Sequence, residues 1–402
     1  MKDGDSIKAL GLLNDITANY WKDVRDAHKN NKKIAYVNAT FPVELLYAMD
    51  VIPVYPENHA VAIEAKKQSV EITQVAEAAG YPMGMCSYAL CDIGSVLSGK
   101  SPIGGMPKPD FILHCNAQCD HITKWFEVLC RHYKVPFFLL DAVYVRKEID
   151  EDAVNYFFIQ LEDLISFLEE QTGKSFDIDR FREVLTISQK TCDLWNAILG
   201  SAANIPSSIT FFDQLIAMAP IVTQRGTKVA MEYYGKLKVE IDERVKNKIA
   251  SIPGEKYRLY WDNLPIWYKL RGLSMALASY KACLVTAMYT EGWGYHFDTS
   301  DPIRSMAENY IPIDVNTGDL EYRANKVVNI MDRYHLNGFI IHSNRSCKRV
   351  SIGQLDLKNM IVERTGINGI ILDADHGDPR FYADERVNML LETYFDTLEE
   401  KL

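Results

Sequence analysis

Short, continuously apolar runs, separated by helix-length amphipathic segments, restrict the fold of this chain more than any other feature. In the first part they are "KIAYVN" (33–38), "VIPVYPEN" (51–58), "KPDFILHC" (108–115) and "VPFFLLDA" (135–142). In the last part they are "KYRLYWDN" (256–263), "ACLVTAMY" (282–289), "GFIIHS" (338–343) and "GIILDAD" (369–375). A strand with one wet face alternates apolar and polar residues; these runs do not alternate. They therefore read as strands covered on both faces, which is the signature of parallel sheets with helices packed on either side. Between them, residues 6–29 read as a polar helix, Pro42 suits a helix start, and residues 60–80 keep helical spacing up to Gly80. From about 148 to 248 the strand signal fades and amphipathic helices take over, as in "DAVNYFFIQLEDLISFLEEQTG". The expectation is an α/β chain: two doubly wound parallel-sheet domains, 1–147 and 256–402, with a helical subdomain, 148–255, inserted between them.

The formal net charge of −10 argues against a broad nucleic-acid surface, which needs clustered Lys and Arg. No stretch approaches the length of apolar sequence that spans a bilayer, and the N-terminus lacks a signal-like apolar run. The expected location is the cytoplasm, with no membrane and no nucleic-acid partner. In that setting the 8 cysteines read as thiols or metal ligands, not structural disulfides.

One pair of strands is nearly a repeat. "FILHCNAQC" ends at Cys119 and "FIIHSNRSC" at Cys347; Phe, Ile, His, Asn and the final Cys coincide. Each places a cysteine just beyond the carboxyl end of a buried strand, which is where open parallel sheets bind ligands. Cys86, after "GYPMGM", starts another loop-to-helix segment. Three thiolates can hold an iron–sulfur cluster with one iron left open. Equally, scattered cysteines without a CxxC pair can be small buried hydrophobes, the reading given to Cys192 and Cys283. Cys91, Cys115 and Cys130 lie near the candidate ligands. His114 and His342 end the repeated strands and either serve a cluster or satisfy nearby backbone. Glu57, in "YPENHA", reads as a strand-end carboxylate able to act as acid or base, or as a cap. His59 and His376 read as loop residues after strands. The acidic surroundings of His376 in "DADHGDPR" suit a metal, or a turn with a helix cap. "QRGTK" sets Arg225 and Lys228 at a glycine turn before a helix, fit for a phosphate or for plain solvation.

Two nucleotide motifs are absent. "TGKS" (172–175) resembles the end of a phosphate-binding loop, but Leu168 stands where that loop requires glycine. No G-x-G-x-x-G follows a strand. The chain is therefore not expected to hydrolyse ATP or to bind NAD by these routes.

Taken together, "FPVELLYAMDVIPVYPEN", "GYPMGMCSYA", "MPKPDFILHCNAQCDHITKWFE", "EKYRLYWDNLP", "HSNRSCKRVSIGQ" and "DADHGDPRFY" resemble the family of 2-hydroxyacyl-CoA dehydratases and ATP-dependent benzoyl-CoA reductases. These segments span most of the chain. The resemblance implies the larger, substrate-binding subunit of a heterodimer with a homologous second subunit. It implies a [4Fe–4S] cluster on Cys86, Cys119 and Cys347, with a linked double cluster as the alternative if other cysteines take part. A separate homodimeric iron–sulfur ATPase would inject the electron. The implied reaction is loss of water from a 2-hydroxyacyl-CoA through a ketyl radical, or reduction of an aromatic acyl-CoA ring. An accessory electron-carrying role is a third option. Glu57 and His59 become the acid–base candidates, and Arg225 and Arg345 the CoA contacts. The chain departs from the family at "YVNATFP", where Val37 and Asn38 replace a hydroxyl-rich stretch.

Overall fold

Every one of those apolar runs contains a strand. The computed structural model describes residues 6–146, 148–313, 316 and 318–400, so the boundary drawn at 147 falls on a residue outside that description. The strands are β1 (Lys33–Tyr36), β2 (Val51–Val54), β3 (Phe111–Cys115), β4 (Phe137–Leu140), β5 (Tyr257–Asp262), β6 (Ala282–Ala287), β7 (Gly338–Asn344) and β8 (Gly369–Ala374). They form two parallel four-stranded sheets with the same order, β2-β1-β3-β4 and β6-β5-β7-β8. Strands β2, β3, β5 and β6 are buried along their length, as continuous apolar sequence requires, whereas the edge strands β4 and β8 are partly exposed.

This order places a switch point between β1 and β3 in one sheet and between β5 and β7 in the other. Crossovers leave in opposite directions there, so a crevice opens beyond the strand ends. The repeated stretches are β3 and β7 with the loops that follow them. The echo in sequence is therefore matched by an identical place in the two topologies.

In the first half, α1 (Leu13–Asp26), α2 (Glu44–Ala48), α3 (Pro56–Ala65), α4 (Ser69–Ala78), α5 (Ser87–Ser98) and α6 (Asp120–Tyr133) surround the sheet. The helical spacing over 60–80 is not one helix. It breaks at residues 66–68, where Lys67 turns to a positive φ of 59°, and restarts as α4. The break lets α4 fold back along α5. These helices meet so closely that a Cβ on Gly94 would lie 2.0 Å from the Ile72 carbonyl oxygen.

The helical stretch between the sheets comprises α7 (Glu151–Thr172), α8 (Ile178–Ser201), α9 (Phe211–Ala217), α10 (Ala219–Thr223) and α11 (Lys228–Lys246). Local sequence sets their ends. Asp150 and Asp177 accept first-turn amides of α7 and α8, and Thr210 with Asp213 forms a capping box on α9. Gly173, the glycine of "TGKS", ends α7 with φ of 69°; it terminates a helix and does not open a phosphate loop. The second half carries α12 (Leu270–Ser279), α13 (Met288–Glu291), α14 (Pro302–Tyr310), α15 (Leu320–Arg333), α16 (Lys348–Ser351), α17 (Gln354–Thr365) and α18 (Asp384–Glu399). Among the described residues, no helix is long and apolar enough to cross a membrane.

Candidate active site

The loops after β3 and β7, together with the loop between α4 and α5, bring Cys119, Cys347 and Cys86 into one electrostatic group. Charge on Cys347 and Cys119 acts on Cys86, and charge on Cys347 acts on Cys119. All three are N-cap residues, of α5, α6 and α16 respectively. The first-turn amides favour each thiolate: Tyr88 and Ala89 at Cys86, Ile122 and His121 at Cys119, Val350 at Cys347. None of them closes to a full capping hydrogen bond. Burial pushes the thiols in the opposite direction, with Cys119 raised to about 12. Without a metal these groups are neutral thiols; metal binding would deprotonate them.

The donor set fits an iron–sulfur cluster. It offers three half-buried sulfurs from three separate loops, each with backbone N–H groups turned toward it, and such amides tune cluster sulfurs. Among the described residues, no group of three or more His, Cys, Asp or Glu converges closely enough to hold a single metal ion. A cubane offers a separate iron to each thiolate, so its cysteines stand wider apart than the ligands of one ion.

The other cysteines are occupied differently. Cys91 is buried with its Sγ 3.8 Å from Glu64 Oε1, Cys115 lies within β3, and Cys130 Sγ donates to the Val135 carbonyl at 3.2 Å. Cys192 and Cys283 are core residues.

Glu57 lies beside the Cys119 loop. It is not in a loop at a strand end; Pro56 starts α3, so Glu57 occupies its first turn. Its side chain is 5% exposed. Oε2 accepts the Ala39 amide at 2.5 Å, and Oε1 accepts the Gln118 side-chain amide. Burial raises its pKa from 4.5 to about 7, against the lowering pull of Ala39 and Gln118. A carboxyl poised there exchanges a proton near neutrality.

Asn38 braces this arrangement. Fully buried, its Oδ1 accepts the Cys115 amide at 2.8 Å, and its Nδ2 donates to Gln118 Oε1 at 3.0 Å and Thr40 Oγ1 at 2.9 Å. The hydroxyl missing at Val37 and Asn38 thus has a neighbour in Thr40, which also donates to Gln118 Oε1 at 3.2 Å.

His59 does not join the site. It lies within α3, 2% exposed, with Nδ1 3.3 Å from Asp92 and Nε2 2.9 Å from Ser101. One ring nitrogen thus ties α3 to α5 through Asp92, and the other ties it to the segment after α5 through Ser101. Arg225 is also withdrawn. Its guanidinium is completely buried, donating to the carbonyls of Phe41, Ile221 and Val222 and to Tyr310, with Glu44 3.3 Å away. It lies among the rings of Trp293, Tyr295 and Tyr310. It is a strut beneath the β1 loop and offers nothing to a phosphate. Arg345 is exposed and forked onto Asp373 at 2.9 and 2.6 Å. His114 and His342 are buried neutral bases, each lowered to about 4 by burial. "DADHGDPR" is a turn and cap: Asp375 accepts the Gly377 and Asp378 amides, and Asp378 caps the 3-10 helix Pro379–Phe381.

The matching family model, "2-hydroxyglutaryl-CoA dehydratase, D-component", covers residues 38–398. The chain belongs to this family. Members carry iron–sulfur clusters, in keeping with the thiol set described above. Among curated relatives, the (R)-2-hydroxyisocaproyl-CoA dehydratase alpha subunit of Clostridioides difficile is 29% identical over 98% of this chain and 97% of its own. The (R)-phenyllactyl-CoA dehydratase alpha subunit of Clostridium sporogenes is 31% identical over 94% and 92%. A benzoyl-CoA reductase subunit of Thauera aromatica is 32% identical over 89% and 87%. The chain is thus a subunit of a 2-hydroxyacyl-CoA dehydratase-family enzyme, with a benzoyl-CoA reductase subunit among its relatives.

Gln118, Ser87, Ser346 and Asp375 shape the site without standing out in the sequence. Three of them neighbour a candidate cysteine and the fourth follows β8; those positions are the available signal.

Proposed function

We propose that the chain is the cluster-bearing, substrate-binding subunit of an (R)-2-hydroxyacyl-CoA dehydratase, with Cys86, Cys119 and Cys347 as cluster ligands and Glu57 as its acid–base group. The observation that carries this reading is the meeting of those three thiols beside a carboxyl whose pKa is about 7. The alpha-subunit names of the relatives support a partner subunit for this chain too.

The β-proton of a 2-hydroxyacyl thioester is not acidic, so simple base catalysis fails. The chemistry a bound cluster would supply is one low-potential electron, lent to the thioester carbonyl so that the neighbouring hydroxyl can leave. The chain's own residues do the rest. Glu57 is itself buried, so a thioester seated beside it would be shielded from bulk water. Glu57, held by Ala39 and Gln118, gives a proton to the departing hydroxyl at Oε1 or Oε2, and its carboxylate then accepts the β-proton. Arg345, exposed and forked onto Asp373, is the remaining candidate of the two arginines to meet a CoA phosphate.

A second reading, ring reduction of an aromatic acyl-CoA, rests on the 32% identity to a benzoyl-CoA reductase subunit. Anaerobic protein with its partner subunit, an iron–sulfur ATPase activator, ATP and a panel of CoA esters separates the two. Enoyl-CoA formed with catalytic ATP supports the dehydratase. A dienoyl-CoA formed with stoichiometric ATP supports the reductase. Turnover of no CoA ester would leave the electron-carrying role.

A further inference from the structure

We infer that Asp375 is a positioning residue that ties the Cys86 and Cys347 loops together across the two halves of the chain. The inference rests on the cluster reading above. Asp375 is the first residue beyond β8 and is 1% exposed. Its Oδ1 accepts the Ser87 hydroxyl at 2.6 Å, and its Oδ2 accepts the Ser346 amide at 3.1 Å. Ser87 directly follows Cys86, and Ser346 directly precedes Cys347. One carboxylate therefore grips the neighbours of two ligands that belong to different sheets.

The grip is doubled and stiffened. The Ser87 amide and hydroxyl both lie 3.3 Å from Ser346 Oγ. The same Oδ1 accepts the Gly377 and Asp378 amides at 2.9 Å each, and Tyr268 donates to the Asp375 carbonyl at 3.0 Å. His376 stands behind, with Nδ1 3.3 Å from Ser346 Oγ and its ring packed edge-on against Tyr88. Cys119 is held separately, through the Asn38, Gln118 and Glu57 hydrogen bonds. Asp375 thus fixes the Cys86–Cys347 edge of the ligand triangle, an edge that crosses between the halves. A local turn-capping role would need only Gly377 and Asp378. The bond to Ser87 spans 288 residues of sequence and serves no turn.

The carboxylate also adds a fixed negative charge behind the ligands, and charge of that sign makes a cluster harder to reduce. The test uses the full chain with its partner subunit, prepared without oxygen, as parent, Ser87→Ala, Asp375→Asn and Asp375→Ala. Iron and sulfide per chain, the electron paramagnetic resonance spectrum and the midpoint potential are measured. Asp375→Ala should lose at least half the parent's iron. Ser87→Ala, which spares the turn, should keep iron but change the spectrum. Asp375→Asn should keep iron and shift the midpoint to a more positive potential. Should Asp375→Ala fail to fold, the other two variants decide. Parental spectra and potentials in both would overturn the inference. A parent chain without iron overturns the cluster reading and this inference with it; an iron-loaded parent matched by all its variants overturns the tie alone.

Discussion

Replacing Arg225 with methionine separates a structural strut from a CoA contact. The side chain is wholly buried and pairs with Glu44, which is also wholly buried. Methionine fills much of the volume but leaves three carbonyls without their donor and Glu44 without its counter-charge. Ser188 and Tyr310 would still donate to Glu44, at 2.6 and 2.7 Å, so the carboxylate keeps partial solvation. Breaking a buried pair from one side costs about 3–5 kcal/mol. That is a large share of the roughly 5–15 kcal/mol that holds a typical domain folded. Urea unfolding followed by tryptophan fluorescence measures it. Adding Glu44→Gln removes the stranded charge, and about 2 kcal/mol of the loss should return, because an uncompensated ion costs more than an imperfect neutral contact. Since Arg225 holds the Phe41 carbonyl, just beyond the loop that seats Glu57, turnover should fall and recover with stability. Undiminished stability with weakened CoA-ester binding would refute the strut and restore the anion-binding role.

Other outcomes follow from the same geometry. In iron-free chain, the folded state holds a proton on Glu57 that the unfolded state releases between pH 4.5 and about 7, so stability falls as pH rises through that window. Glu57→Gln should therefore remove that fall in stability between pH 4.5 and about 7, read by urea titration across the window, while abolishing turnover. His114 and His342, each held at about 4, act oppositely: the unfolded chain takes up their protons first, and stability drains as pH falls from 6.5 through 4. His114→Phe keeps the stack on Phe137 and should flatten that acid limb in the same titration. Gly94→Ala drives a methyl into the Ile72 carbonyl, so α5 must shift. It should cost about 1–3 kcal/mol in thermal or urea unfolding and lower iron content, because Cys86 caps that helix.

The strands and their parallel pairing are legible because burial on both faces leaves unbroken apolar runs, and the hydrogen-bond ladder then needs only short segments. The break at Lys67 is not, because apolar residues keep helical spacing on either side of it. Glu57 sits one element later than its strand-end context suggests, although Pro56 is a readable helix start. Arg225 misleads because "QRGTK" has the composition of an exposed turn. Its burial is decided by Glu44 and three aromatic rings from distant segments, which no local pattern encodes. Cys119 and Cys347 are legible as a repeated place in two topologies, whereas Cys86 shows only as the start of a loop-to-helix segment. The residues that hold them are harder to find: "DADHGDPR" declares its turn, but Ser87 lies in the other half of the chain.

The most direct test is an iron and acid-labile sulfide count on anaerobically purified chain, for the parent and for single cysteine-to-alanine variants. The parent should hold about four irons and four sulfides. Cys86→Ala, Cys119→Ala and Cys347→Ala should each lose most of both, and Cys91→Ala and Cys130→Ala should match the parent. Full iron in any of the first three, or a parent with none, would contradict a cluster held by those three thiols.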